Sequence, residues 1–309
     1  MTTGPNHGSG EQPAVAPVPP SPVASGDRVE LAGQSHPGNV RPHNEDVYIT
    51  LQADRALRTL ETNLPKDTLP DVNAEICYGF LVADGVGGMA AGEVASRMAV
   101  TTLIHLALDT PDWVMLPGQV EGRRILERMT ERFRLVDAVL RAEAGRKPEL
   151  MGMATTMTAA VIVGRELLVG HVGDSRAYLC RGDKFDQLTR DHTTVQDFAD
   201  AGFIQPGEVR SLPYRHALTR ALGGTHHQSH PDLHRLMLRA RDQILLCTDG
   251  LTDQVDAAVI ASTLRAATTA KDACQALVDL ALKHGGPDNV TVGVARCHFS
   301  PDEVGGTRT

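Results

Sequence analysis

Short runs of Val, Ile and Leu recur along the chain and stop abruptly at Gly, Asp or Asn. Val29–Gly33, Val47–Leu51, Ile76–Ala83, Met157–Val163, Leu167–Val172, Ala177–Arg181, Ile244–Cys247 and Val290–Cys297 fit this pattern. Runs of that length with such boundaries predict β-strands. Apolar residues spaced to line one helix face predict helices over Gly92–Leu108, Val120–Ala144, Thr193–Ala201, Asp256–Ala266 and Lys271–Lys283. Strands come in clusters, with helices between and after them. That order predicts an α+β fold, sheets packed on each other with helices outside, rather than a doubly wound parallel sheet. Residues 52–75, QADRALRTLETNLPKDTLPDVNAE, break the pattern and read as a surface insertion.

Composition narrows the class. At 309 residues, 41% hydrophobic and 22% charged, the chain has ample material for a core. A formal net charge of −8 argues against a nucleic-acid partner. No apolar run approaches the roughly 20 residues needed to span a bilayer, and no membrane partner is expected. The first Lys or Arg is Arg28, so the N-terminus carries neither a secretory nor an Arg-rich transit signal, and a cytoplasmic location is expected. The 5 cysteines (Cys77, Cys180, Cys247, Cys274, Cys297) show no CxxC spacing and read as buried reduced thiols. Residues 1–26, rich in Pro, Ala, Ser and Gly, read as a disordered tail, with a proline-rich docking ligand as the less favoured alternative. One domain is expected over 27–298 and a flexible tail over 299–309.

The chemistry lies where the apolar runs end. GFLVADGVGGMAAGE, residues 79–93, leads from a strand through Asp84 into glycines and then a helix. Such glycines usually cradle phosphate through backbone N–H groups, yet Asp84 would repel it. Asp249 in ILLCTDG and Asp174 in LLVGHVGDS also close apolar runs, while Asp46 in HNEDVYIT and Asp288 in GGPDNVTVGV open them. One such acid reads as a turn or helix cap. Several in the same context, costly if desolvated together, point to hard divalent cations standing between carboxylates and phosphate.

The segments NVRPHNED, LVADGVGG with AAGE, TTMTAAVI, HVGDSRAYL, LTRDHTTVQ, CTDGLTD and GGPDNVTVGVA, in this order, resemble the metal-dependent Ser/Thr protein phosphatases of the PPM (type 2C) family, bacterial branch. The resemblance covers about residues 28–297. It implies a four-layer α/β/β/α sandwich of two antiparallel sheets, with a flap over about 189–225. It also implies a binuclear Mn²⁺ or Mg²⁺ site at one end. Asp46, Asp84, the Gly85 carbonyl, Asp249 and Asp288 match the metal-binding positions, with Glu45 beside them. Asp174 matches the acid of a third metal, and Arg41 the arginine that contacts phosphate; its alternative reading is a surface salt bridge. Two departures stand out: Met89 replaces a histidine common in bacterial members, and Ala154 in MGMATT replaces a glycine.

The implied activity is hydrolysis of phosphoserine and phosphothreonine in proteins, reversing a bacterial Ser/Thr kinase, by a monomer. A phosphorylated anti-sigma antagonist is an alternative substrate, and a non-catalytic binding module of the same fold an alternative role. A dinucleotide-binding turn at GVGGMAAG, with Asp109 as ribose partner, is disfavoured by Asp84, which would face the pyrophosphate unscreened. The histidines of THHQSHPDLH (His226, His227, His230, His234) read as a solvated loop rather than a zinc site.

Overall fold

The computed structural model describes residues 27–58, 72–87, 91–109, 119–205, 208, 212, 214–225 and 230–300. In chain order the strands are β1 (Arg28–His36), β2 (Val47–Arg58), β3 (Val72–Ala83), β4 (Gly85–Val86), β5 (Ala154–Thr155), β6 (Met157–Val163), β7 (Glu166–Val172), β8 (Arg176–Arg181), β9 (Lys184–Gln187), β10 (Leu222–Gly223), β11 (Asp232–Met237), β12 (Gln243–Cys247) and β13 (Val290–His298). The helices are α1 (Ala91–Asp109), α2 (Gln119–Arg146), α3 (Thr194–Asp200), α4 (Asp249–Thr252), α5 (Ala257–Ala266) and α6 (Ala270–Lys283). One sheet has the order β1-β13-β12-β8-β9 and the other β11-β7-β6-β3-β2, each antiparallel throughout, with a small sheet β10-β5-β4 beside them. Antiparallel pairing of β3 with both its neighbours rules out the dinucleotide-binding turn, which needs a parallel βαβ unit.

Alternate residues along a strand face opposite sides of the sheet. Phe80, Val82, Ile162 and Val169 of one sheet meet Ala177, Leu179, Ile244 and Leu246 of the other in the inner core. Their neighbours Leu81, Ala83, Ala159 and Val172 face outward under α1 and α2. Tyr178, Cys180, Leu245 and Cys247 face outward under α5 and α6. Both faces are covered, which is why these strands read as continuous apolar runs rather than alternating ones. All 5 cysteines are free and buried, as expected.

Three sequence readings need correction. The expected insertion is in part strand: β2 and β3 pair as far as Arg58↔Val72. Beyond Cys77, where the pairing with β6 ends, β3 pairs with β2 alone. The C-terminal boundary falls later than expected, because Phe299 is 8% exposed within the inner core and Asp27 and Arg165 hold Ser300. His234 sits on β11, an edge strand, not in a solvated loop; His226 and His227, like Met89 and residues 1–26, lie outside the described residues. Among the described residues no helix is long and apolar enough to cross a membrane.

Register brings the candidate acids together. Val47↔Ala83 places the start of β2, after Asp46, beside the end of β3, before Asp84. Cys247 pairs with both Val292 and Arg176, so the end of β12 and the starts of β13 and β8 share an edge. Met157↔Val172 puts the end of β7, before Asp174, at the start of β6. Thr156, just ahead of β6, reaches Asp84 on one side and Ser175 on the other, at 3.0 and 2.8 Å.

Candidate metal centre

Asp46 is the most enclosed of the acids, 6% exposed. Its Oδ2 accepts a hydrogen bond from Thr248 Oγ1 at 2.8 Å, while Oδ1 is buried with no partner. Burial, with the charges of Asp249 and Asp288, pushes its pKa up to about 7 against the nearby hydroxyls of Thr291 and Thr248. Asp84 is held by its backbone. Its N–H donates to Thr156 Oγ1 at 3.0 Å, and its carbonyl accepts from Thr156 N–H and Thr155 Oγ1, each at 2.8 Å. Burial raises the Asp84 pKa well above the usual range, and the charges of Asp46, Asp249, Asp174 and Asp288 add to the shift.

Asp174 is buried beside Asp249, the first residue of α4, and near His216. Ligand atoms of these three lie within 4.8 Å of one another. Burial and then Asp249 raise the Asp174 pKa, with His216 and Arg176 opposing. Asp288, half-exposed, accepts from Arg41 Nη2 at 2.8 Å and from the Asn289 N–H at 2.9 Å. That ion pair and hydrogen bond hold the Arg41 pKa above its usual value. The Glu45 carboxyl is raised chiefly by burial, with Arg41 opposing. The structure therefore gathers Glu45, Asp46, Asp84, Asp174, Asp249 and Asp288 at one end of the sandwich, with Arg41 on their rim.

The glycines have measurable work here. A Cβ on Gly85 would lie 2.2 Å from the Gly92 carbonyl oxygen, and one on Gly92 would lie 2.5 Å from Glu45 Oε2. A Cβ on Gly250 would sit 1.9 Å from the Asn289 carbonyl oxygen. Close backbone approach, rather than turn geometry, demands glycine at these positions. The alanine at 154 is accommodated: it pairs with Gly223 and Val86, and a Cβ on Gly224 would still clear its methyl by 3.6 Å.

Sequence reasoning missed His216. Its Nδ1 lies 3.1 Å from Asp249 and its Nε2 3.2 Å from Asp253, and these carboxylates push its pKa up to about 10. It follows no apolar run; only the PYRHALTR context, arginine-flanked and close after the LTRDH segment, hinted at it. Asn289 was missed as well. Its Oδ1 accepts from the Glu45 N–H at 2.8 Å, and its Nδ2 donates to the carbonyls of Pro37 and His43 at 2.9 and 2.8 Å. It thereby fixes the loop that presents Arg41, Glu45 and Asp46.

This donor set fits hard divalent cations. Carboxylate oxygens converge, one of them buried and unpartnered, and their mutual repulsion favours protonation unless a cation intervenes. Among the described residues, the grouping of three metal-type donors is Asp174, His216 and Asp249.

Residues 75–290 match the sequence model of the Protein phosphatase 2C family. Over 214 residues the chain is 42% identical to the serine/threonine protein phosphatase PstP of Mycobacterium tuberculosis, covering 69% of this chain and 39% of that protein. It is 31% identical over 257 residues to the serine/threonine phosphatase stp of Listeria monocytogenes, covering 82% of this chain and 90% of the relative. The solved catalytic domain of PstP, in complex with 2 manganese ions, superposes with a TM-score of 0.68 at 35% identity, covering 88% of this chain and 99% of that one. The chain thus spans about two fifths of the full length of PstP.

Proposed function

Because the chain belongs to the Protein phosphatase 2C family, we propose that it is a metal-dependent protein phosphatase that hydrolyses phosphoserine and phosphothreonine in proteins. The observation that carries this reading is the gathering of strand-end carboxylates close enough to raise one another's pKa, among them Asp46 with a buried, unpartnered Oδ1. Asp46, Asp84, the Gly85 carbonyl, Asp249 and Asp288 would hold two Mn²⁺ or Mg²⁺ ions, with Glu45 beside them, and Asp174 with Asp249 a third. Bound there, such ions supply Lewis acidity, an activated water and neutralisation of phosphoryl charge.

The chain's own residues do the rest. Arg41 presents a guanidinium, always charged and able to grip two phosphate oxygens at once, at the exposed rim. Thr248 fixes the rotation of the Asp46 carboxylate through its hydroxyl. Thr155 and Thr156 fix the Asp84 backbone and so aim its side chain. His216 lies between Asp249 and Asp253, whose carboxylates favour its charged form, which would offset part of their negative charge. None of the 5 buried thiols is placed to act as a nucleophile.

The substrates that fit this reading are phosphoproteins, with a cytoplasmic Ser/Thr kinase and its targets as partners. A non-catalytic role is disfavoured by retention of every acid in the cluster. Hydrolysis of a phosphothreonine peptide, wild type against Asp46→Asn, tests it. Wild type should turn over with Mn²⁺, and the variant should fall at least about 100-fold, since ligand loss disables the water nucleophile. Equal turnover by both would overturn the assignment.

A further inference from the structure

Gly173, the residue before Asp174, is gripped at both its peptide groups by one residue. The His192 N–H donates to the Gly173 carbonyl at 2.7 Å, and His192 Nδ1 accepts from the Gly173 N–H at 3.0 Å. The His192 ring is fully buried. Since Nδ1 accepts, the neutral ring carries its proton on Nε2, which points at Asp232 Oδ2, 3.0 Å away. Asp232 is braced in turn by Arg220, Nη1 to Oδ1 at 2.7 Å and Nη2 to Oδ2 at 3.2 Å. The backbone of Thr219, beside Arg220, donates to the His192 carbonyl at 2.8 Å.

This directional arrangement is more than filling a core requires. An apolar ring could occupy the same volume, whereas a buried imidazole demands satisfied partners on both nitrogens. The turn it holds is strained for other residues. Gly173 has φ +114, and a Cβ there would lie 2.5 Å from Thr156 Cβ. On the far side of Asp174, Ser175 Oγ meets Thr156 Oγ1, which also accepts from the Asp84 N–H. The side-chain relay Arg220–Asp232–His192 therefore ends on the Val172–Gly173 peptide, at the turn residue that immediately precedes Asp174, while the His192 backbone N–H holds the next peptide, Gly173–Asp174.

We propose that His192, oriented by Asp232 and Arg220, is a positioning residue for Asp174, fixing that carboxylate through the Gly173 N–H so that the Asp174–Asp249 end of the centre can hold its cation. The inference rests on the phosphatase reading for its kinetic consequence but not for its metal-binding one. It also ties Thr219 and Arg220 to the turn before Asp174, through the His192 carbonyl and Asp232. Neighbouring His171, whose ring centroid is 4.7 Å from that of His192, fastens the Arg190 carbonyl through Nε2 at 3.0 Å.

The test compares His192→Leu, which fills the space without an acceptor, with His192→Asn, whose side-chain oxygen can take the Gly173 N–H. Calorimetric Mn²⁺ titration, phosphothreonine-peptide kinetics and melting are measured on each folded protein. For His192→Leu, the weakest Mn²⁺ binding event should loosen by about 10-fold or more, the scale of losing an outer hydrogen bond to a metal site. Its tighter events should stay, and kcat should fall with KM little changed. His192→Asn should recover most of both losses. If His192→Leu does not fold, Arg220→Met at the outer end of the chain should show the same weakening on a smaller scale. Earlier melting with unaltered Mn²⁺ binding and kcat per folded molecule would overturn the proposal, as would Asn and Leu being equally defective. Should wild type bind Mn²⁺ but hydrolyse nothing, the phosphatase reading fails while the titration still decides the role of His192.

Discussion

Asp46 shows how far a single residue can be read from sequence. Its place before an apolar strand, repeated in kind at Asp84, Asp174, Asp249 and Asp288, was legible as metal chemistry because an uncompensated carboxylate there is costly. Its lone buried oxygen and its hydroxyl partner Thr248 were not, because they depend on which strand lies opposite. His216 was illegible for a related reason. It reaches Asp249 from a loop with no periodicity of its own, so only the folded chain puts the two together. Arg41, expected to contact phosphate, lies exposed at the rim and is engaged with Asp288, a contact that both readings of its role allow. Arg41→Ala should raise KM for a phosphothreonine peptide several-fold while kcat changes little, if the guanidinium grips ground and transition states alike. Steady-state kinetics check this; an unchanged kcat/KM would leave Arg41 as a surface ion pair only.

At the scale of elements, strands buried on both faces announced themselves and partly exposed ones did not. β6, β7, β8 and β12 are continuous apolar runs because each lies between the inner core and a helix layer. The edge strands β9 and β11 carry mixed polarity, and the two-residue strands β4, β5 and β10 are too short for any period to show. Helix periodicity located α1, α2, α5 and α6 to within a residue or two, whereas the single turn of α4 offers too few positions to repeat. The N-terminus of α6 is secured twice: Thr269 Oγ1 accepts from the Asp272 N–H at 3.0 Å, and Glu30 Oε1 from the Ala270 N–H at 2.8 Å. Thr269→Ala should cost about 1 kcal/mol, lowering Tm by roughly 2–4 °C. Turnover should be unaffected, since α6 lies against β1 and β13 and supplies no acid to the centre. Thermal melts beside a peptide assay read both quantities.

For the whole molecule, the acids make stability depend on metal and pH together. Without a divalent cation, the folded Asp46 pKa of about 7 lies above the unfolded value, near 4. The stability this group contributes is therefore fully present below about pH 4 and lost as pH rises through about 7. Asp84 and Asp174, also raised, act in the same direction. A cation that binds only the folded, deprotonated centre reverses this, so the Tm gained on adding Mn²⁺ should grow from pH 5 to pH 8. A gain independent of pH would place the cation elsewhere. Convergence at one end of the sandwich, set by the antiparallel register of both sheets, is what turns scattered aspartates into one centre. The most direct test of that centre's role is phosphothreonine-peptide hydrolysis by the wild-type chain in chelator and again after Mn²⁺ or Mg²⁺ is restored. Activity should vanish in chelator and return with the metal; full activity in chelator would contradict the account.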